Sequence, residues 1–247
     1  MKKKKFTIKR ILKIIIGIVI FFTLPSLLFF GFLYLKYDEP LPKGTQGTEA
    51  NQLAQNMLDK LDYDAFHNTD YLEWTFKGRH YYKWYKSENR CEVNWKQIKV
   101  DLNFQNLEVS KVYVGEQLYE GIEKRDYVKR ATDYFNNDSF WLVAPYKVFD
   151  NGTERRLVVN DDNSKSLLVT YTKGGTTPGD SYLWHFDANG KPKSYQMWVD
   201  ILPIDGLEAT WNNWKMTNSG AILPTTHELL FLDLDMGDVK GEIIKIK

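Results

Sequence analysis

The sequence predicts an α+β protein that is mainly β: an N-terminal transmembrane helix, then a curved antiparallel sheet with one or two helices over its concave face. Three observations carry this reading. Residues 14–35, IIIGIVIFFTLPSLLFFGFLYL, are 22 residues without a charge. Most of residues 71–236 alternates apolar and polar side chains with a period of two, broken by turn signals. Only two later stretches, near residues 48–61 and 121–137, carry the three-and-four spacing of an amphipathic helix.

The chain opens with Lys2, Lys3, Lys4, Lys5, Lys9, Arg10 and Lys13. A basic tail of 13 residues before an apolar run of this length predicts a cytoplasmic N-terminus. About 20 apolar residues in a helix cross the hydrocarbon core, whereas a cleaved signal has a shorter apolar stretch that ends in small residues. Here Leu33, Tyr34, Leu35 and Lys36 end it, so the helix is expected to stay as a single-pass anchor. That places the main domain outside the cytoplasm of a bacterial cell, periplasmic or extracellular. Pro25 lies inside the run, where membrane helices tolerate it. Seven of the 33 basic residues precede Ile14 and all 32 acidic residues follow it. The remainder carries 26 basic against 32 acidic side chains, a net −6 that excludes a nucleic-acid-binding surface as the first reading. Cys91 is the only cysteine, so no internal disulfide can form and the core must hold the domain. Its acidic neighbours disfavour a reactive thiolate.

Residues 36–48, KYDEPLPKGTQGT, read as a linker, with Pro40 and Pro42 favouring extended chain. The remaining residues, 49–247, fit one domain. In TEANQLAQNMLDKL the stripe Leu53, Met57, Leu58 and Leu61 predicts a helix, with Thr48 as its cap and Glu49 at its positive end. YLEWTFKGRHYYKWYK predicts two strands about a Lys77-Gly78 turn, CEVNWKQIKVDLNF continues the pattern, and EVSKVYVGEQLYEG turns at Gly115-Glu116. GIEKRDYVKRATDYFNN predicts the second helix, with Tyr127, Val128, Ala131, Tyr134 and Phe135 on its apolar face. Residues 136–153 read as an irregular connection holding an apolar segment, residues 140–144. RRLVVN, SLLVTYT, SYLWHFD, KSYQMWVDIL, LEATWNNWKM and THELLFLDLDM then read as strands.

The hairpin SYLWHFDANGKPKSYQMWVDI concentrates aromatics. Tyr182, Trp184 and Phe186 share one strand face, and Tyr195, Met197, Val199 and Ile201 share one on the return. DANGKP turns the chain, Gly190 being free to take positive φ. Of the eight tryptophans, seven are expected in strands, Trp141 being the exception. Rings of this size, burying about 150–250 Å² each, can fill a concave face, or leave an apolar cavity that takes a ligand.

One helix after an export signal, then a long run of curved antiparallel strands interrupted by helix, resembles the periplasmic lipoprotein carrier and lipoprotein-sorting superfamily. The likeness is one of element order and size over residues 48–245, without a shared motif, and FNNDSFWLVAPYKVFD and GDSYLWHFDANGKPKSYQMWVDI look like segments of bacterial proteins assigned to its neighbourhood. It implies an unclosed β-barrel with helices across its mouth and acyl chains held inside. It supplies no catalytic residue. The retained anchor departs from the soluble carriers and argues against long-range transport.

Motifs for chemistry are sparse. His67, His80, His185 and His227 form no metal-binding spacing, G-x-S-x-G is absent, and the glycine-rich loop 174–180 lacks the phosphate-binding pattern. His185 and Asp187 share a strand face. Asn160, Asp161, Asp162 and Asn163 are oxygen-rich without the spacing of a Ca²⁺ loop. The expectation is a non-enzymatic, cofactor-free, membrane-tethered domain that binds an apolar ligand, membrane lipid or the acyl chains of a lipoprotein. Its expected lining is Trp74, Phe140, Trp141, Tyr182, Trp184, Phe186 and Met197. The competing expectation is a structural or assembly module of the cell envelope with a filled core and a protein partner.

Overall fold

The computed structural model describes residues 8–174 and 177–244. Lys2 to Lys5, and two residues of the glycine-rich loop, lie outside the described residues. Among the described residues the fold is α+β and mainly β, with antiparallel sheets and four α-helices, the first of them apolar and N-terminal.

That helix, α1 (Ile8–Tyr37), is long and apolar enough to cross a membrane. Its last turns do not end in solvent. Leu33 is buried in the core of the domain and Tyr37 packs against it. The chain then runs as a strap over the sheet. Glu39 N–H donates to Asp205 O, Asp205 N–H donates to the Asp38 carboxylate, and the Trp198 indole N–H donates to Glu39 O at 2.7 Å. Thr45 and Leu157 exchange both backbone hydrogen bonds, at 2.8 and 2.9 Å. Gly44 lies so close to the sheet that a Cβ there would stand 2.7 Å from Cβ of Arg156. Residues 36–48, expected as a partly extended linker, thus begin in the last turn of α1 and continue as a segment docked on the sheet. Its prolines make it extended, and extended chain is what a sheet surface accepts.

Helix α2 (Thr48–Lys60) starts one residue earlier than the cap assignment requires. Gly47 is the N-cap, at φ 136°, and Thr48 is already helical, so no side chain caps this end. Ala50, Ala54, Met57 and Leu58 form its buried face. A short helix α3 (Tyr63–His67) follows, capped by the Asp62 carboxylate on Ala65 N–H.

Six strands form the first half of the sheet: β1 (Tyr71–Phe76), β2 (His80–Tyr85), β3 (Arg90–Trp95), β4 (Ile98–Asn103), β5 (Lys111–Val114) and β6 (Gln117–Leu118). The expected β1–β2 turn is present, with Lys77 and Gly78 both at positive φ. Helix α4 (Lys124–Val143) crosses next, continued by a 3₁₀ turn, Ala144–Lys147. The second half holds β7 (Thr153–Val159), β8 (Lys165–Tyr171), β9 (Ser181–Phe186), β10 (Pro192–Trp198), β11 (Leu207–Thr210), β12 (Lys215–Met216), β13 (Ile222–Leu223), β14 (Thr226–Leu229), β15 (Leu232–Asp235) and β16 (Lys240–Glu242).

The seven-stranded orders are β16-β1-β2-β3-β4-β5-β6 and β15-β14-β11-β10-β9-β8-β7, with β12-β13 apart. Two backbone bonds stitch them, Thr75 N–H to Met236 O at 3.0 Å and Lys77 N–H to Asp235 O at 2.8 Å. The result is one long antiparallel surface that does not close: β6 is one end, and β7, capped by Thr45, is the other.

Three elements differ from the sequence reading. Helix α4 runs on through Phe140 and Trp141, which were expected in an irregular connection. The polar run Asn136-Asn137-Asp138-Ser139 looks like a break, but Asp138 and Ser139 are buried on the inner face beside Phe135 and Leu142. THELLFLDLDM is two strands, not one, joined by the turn Leu230-Phe231, which carries no glycine, proline or polar signal. LEATWNNWKM breaks after Thr210, so Trp211 and Trp214 lie just outside strands, and Asn213 takes φ 52°.

Candidate functional site

The aromatic hairpin builds the interior. Strands β9 and β10 pair with Tyr195 opposite Trp184 and Met197 opposite Tyr182. Both sets therefore point to one face, as period-two alternation requires. Trp184 packs on Tyr195 and Trp211, each at a ring separation of 5.0 Å, and Trp211 reaches His227 at 4.6 Å. Helix α4 brings Phe140 to Tyr182 at 4.7 Å and Trp141 to Tyr195 at 5.6 Å. Across the sheet, Trp74 stacks on Tyr82 at 4.5 Å and meets Phe135 at 6.2 Å.

Of the seven expected lining residues, Trp74, Trp184 and Met197 are at most 3% exposed, and Tyr182 is also buried. Phe140, Trp141 and Phe186 are half-buried and pack against the same core. One continuous core thus gathers all seven. Phe186 alone among them also faces a surface groove of about 540 Å³, shared with Leu53, Lys60 and Ala188. On the opposite face, Val158, Leu168, Leu183 and Trp198 form a smaller core roofed by the strap.

A polar network fixes α4 to the sheet. The Asp138 carboxylate accepts from the Tyr82 hydroxyl at 2.5 Å and from Asn137 Nδ2 at 2.8 Å, and lies 2.7 Å from His80 Nδ1. His80 in turn stacks on Tyr134 at 4.0 Å. Asp138 is 2% exposed. Burial, with the carboxylate beside it, holds the Tyr82 phenol well above its usual pKa. Sequence reading missed this cluster, because its members lie 56 and 58 positions apart. The signal available was a carboxylate on the apolar stripe of a helix.

The pairs weighed from the sequence go elsewhere. His185 contacts Ser166 at 2.9 Å and Gln196 at 3.1 Å, while Asp187 caps its own turn on Asn189 and Lys191 N–H. Asp162 bonds Ser164 within the β7–β8 turn. Cys91 is fully buried, and burial above all pushes its thiol well above the ordinary value. Among the described residues, no three His, Cys, Asp or Glu side chains stand together as a metal site.

A second groove, of about 560 Å³, lies outside the sheet along the first turns of α4. Leu107 and Val128 give it an apolar floor, and Lys124, Arg125 and Lys129 outnumber Glu108 and Asp133 on its walls. Two residues along the chain from Leu107 and from Lys124, respectively, Val109 and Ile122 are exposed, the latter at 98%. Sequence periodicity placed Val128 on the apolar face of its helix but did not mark the groove, because Leu107 comes from a 3₁₀ turn far off in the chain. No protein-family model matches the chain, and no curated protein matches it.

Proposed function

We propose that this chain is a membrane-tethered module of a bacterial cell envelope, with its N-terminus cytoplasmic and its main domain periplasmic or extracellular. In this reading its interior serves stability, and a protein partner is engaged at the surface. The observation that carries it is the packing of Trp74, Trp184 and Met197, all at most 3% exposed and in contact with other core side chains. A binding interior would leave such faces open to its ligand. The groove beside α4 offers what the interior does not. Its apolar floor suits the apolar side chains of a protein segment, and its walls, where Lys124 pairs with Glu120 and Lys129 with Asp133, offer charges of both signs to the polar residues beside them. A photo-reactive residue in place of Ile122 is expected to capture one defined envelope protein, and Arg125→Glu with Lys129→Glu is expected to abolish the adduct. Capture only of lipid would overturn the reading.

A second reading, an apolar carrier of lipid or lipoprotein acyl chains, follows the resemblance in element order. The placement of α4 favours it: one helix, pinned through Asp138, lies over the aromatic face and carries Phe140 and Trp141. Displacing it would open the interior. Native mass spectrometry of the detergent-purified chain separates the two. The first reading expects no stoichiometric lipid and no change in tryptophan fluorescence on delipidation; the second expects both.

A further inference from the structure

The turn between β14 and β15 breaks ordinary turn chemistry. Leu229 pairs with Leu232, so the hairpin loop is two residues, Leu230 and Phe231. Such loops ordinarily use Gly, Asn or Asp, because at least one residue must take positive φ. Here Leu230 takes φ 57°. A branched apolar side chain in that conformation costs about 1–2 kcal/mol. The tip nevertheless presents Leu230, Phe231 and Leu232 at 36, 69 and 43% exposure. Strain kept in place to display three consecutive apolar side chains calls for an apolar surrounding.

The fold states where that surrounding lies. The Phe231 ring is 6.3 Å from the ring of Phe29 in α1. Phe29 is six residues before Leu35, about 9 Å along the axis at 1.5 Å per residue. The uncharged run of 22 residues spans about 33 Å, against about 30 Å of hydrocarbon. Leu33 is buried in the domain core, so the hydrocarbon edge falls about there, and Phe29, four residues earlier, sits about 6 Å inside the leaflet next to the domain, with Phe231 beside it. A second exposed apolar side chain, Ile201 at 67%, rides on the loop whose Asp205 holds Asp38 and Glu39 at the helix end.

We propose that the β14–β15 tip is a membrane foot, inserted among the acyl chains of the leaflet that α1 traverses. It rests on the reading of α1 as a retained span. The contact is apolar, not electrostatic. At the neck of the hairpin Glu228 faces Asp233 across the strands, and both are exposed. Two carboxylates there give no attraction to anionic lipid, so insertion is expected in phosphatidylcholine alone and at high salt.

The test uses the full chain in single-copy phosphatidylcholine nanodiscs, with an environment-sensitive label at one introduced cysteine, Cys91 being too buried to react. Phe231→Cys and, as a second variant should the first misfold, Leu232→Cys report the tip. Phe22→Cys, in mid-helix and 70% exposed, reports the span. The expected result is that tip and mid-helix labels are both quenched several-fold more by acyl-chain doxyl lipid than by aqueous iodide, and that Phe231→Asp reverses this at the Leu232→Cys label. Iodide quenching at the tip with lipid quenching at Phe22→Cys overturns the foot and leaves the span standing. Iodide quenching at both positions overturns the span, and the foot with it. A tip protected from both quenchers is covered by protein, which also overturns the proposal.

Discussion

His227 has no solvent exposure and lies against Trp141 and Trp211, with Nδ1 2.8 Å from Thr210 O. Burial pushes its imidazole down to about 4, against the opposing pull of that hydrogen bond. An unfolded chain keeps the ordinary value near 6.5. Below pH 6.5 the unfolded chain therefore takes up a proton that the folded chain refuses. Stability present at neutral pH should fall by about 3 kcal/mol as pH drops toward 4. Chemical unfolding across that window should show a flatter pH slope for His227→Phe, whatever its absolute stability; an unchanged slope would remove His227 as the cause. Trp184 is the second residue to probe. It is fully buried among Tyr195 and Trp211, so Trp184→Ala should cost about 3–5 kcal/mol in the same assay. A loss below about 1 kcal/mol would show that its ring stands free of the core. The sequence already placed this ring on the apolar face of its strand, because alternation fixes direction. It could not say whether that face was filled, because a dry core and an acyl pocket demand the same side chains.

At the scale of elements, α4 is the piece whose position depends most on polar contacts. Tyr82→Phe removes a hydrogen bond to a buried carboxylate and should cost about 1–3 kcal/mol. A double-mutant cycle with His80→Phe should give a coupling well above zero, since both side chains meet the same oxygen of Asp138. Additive losses would mean that the network does not act as a unit. The strap is testable too. Trp198→Phe deletes the bond to Glu39 O while keeping an aromatic ring, and is expected to make residues 38–45 the first site of limited proteolysis. These elements also show where the sequence was silent. Strands β1 to β5 and β7 to β10 follow from alternation broken by glycine or short polar turns. The Leu230-Phe231 turn, the inner half of α4 and the strap do not, because tertiary contacts there override the local pattern: Asp138 is buried by its partners, and the strap by its fit to β7.

For the whole molecule, the mainly β architecture and its apolar N-terminal helix agree with the periodicity of the sequence, while the groove along α4 is a product of the assembled fold. An alkaline phosphatase fused after Lys247 should be active, and a cytoplasmic reporter there inactive, if the basic cluster orients α1 as proposed. The opposite pattern would reverse the topology. The docked strap has a further consequence. Ten residues lie between Tyr37 and Thr48, and free chain over those eleven Cα steps could let the domain wander up to about 36–40 Å from the end of the helix. With Asp38, Glu39 and Thr45 tied to the sheet, that reach is gone and the domain rides at one height, turning only as its helix turns. With α1 spanning a membrane as proposed, encounters would become a search in two dimensions: whatever meets this surface would have to travel in the same membrane or present itself at that fixed elevation.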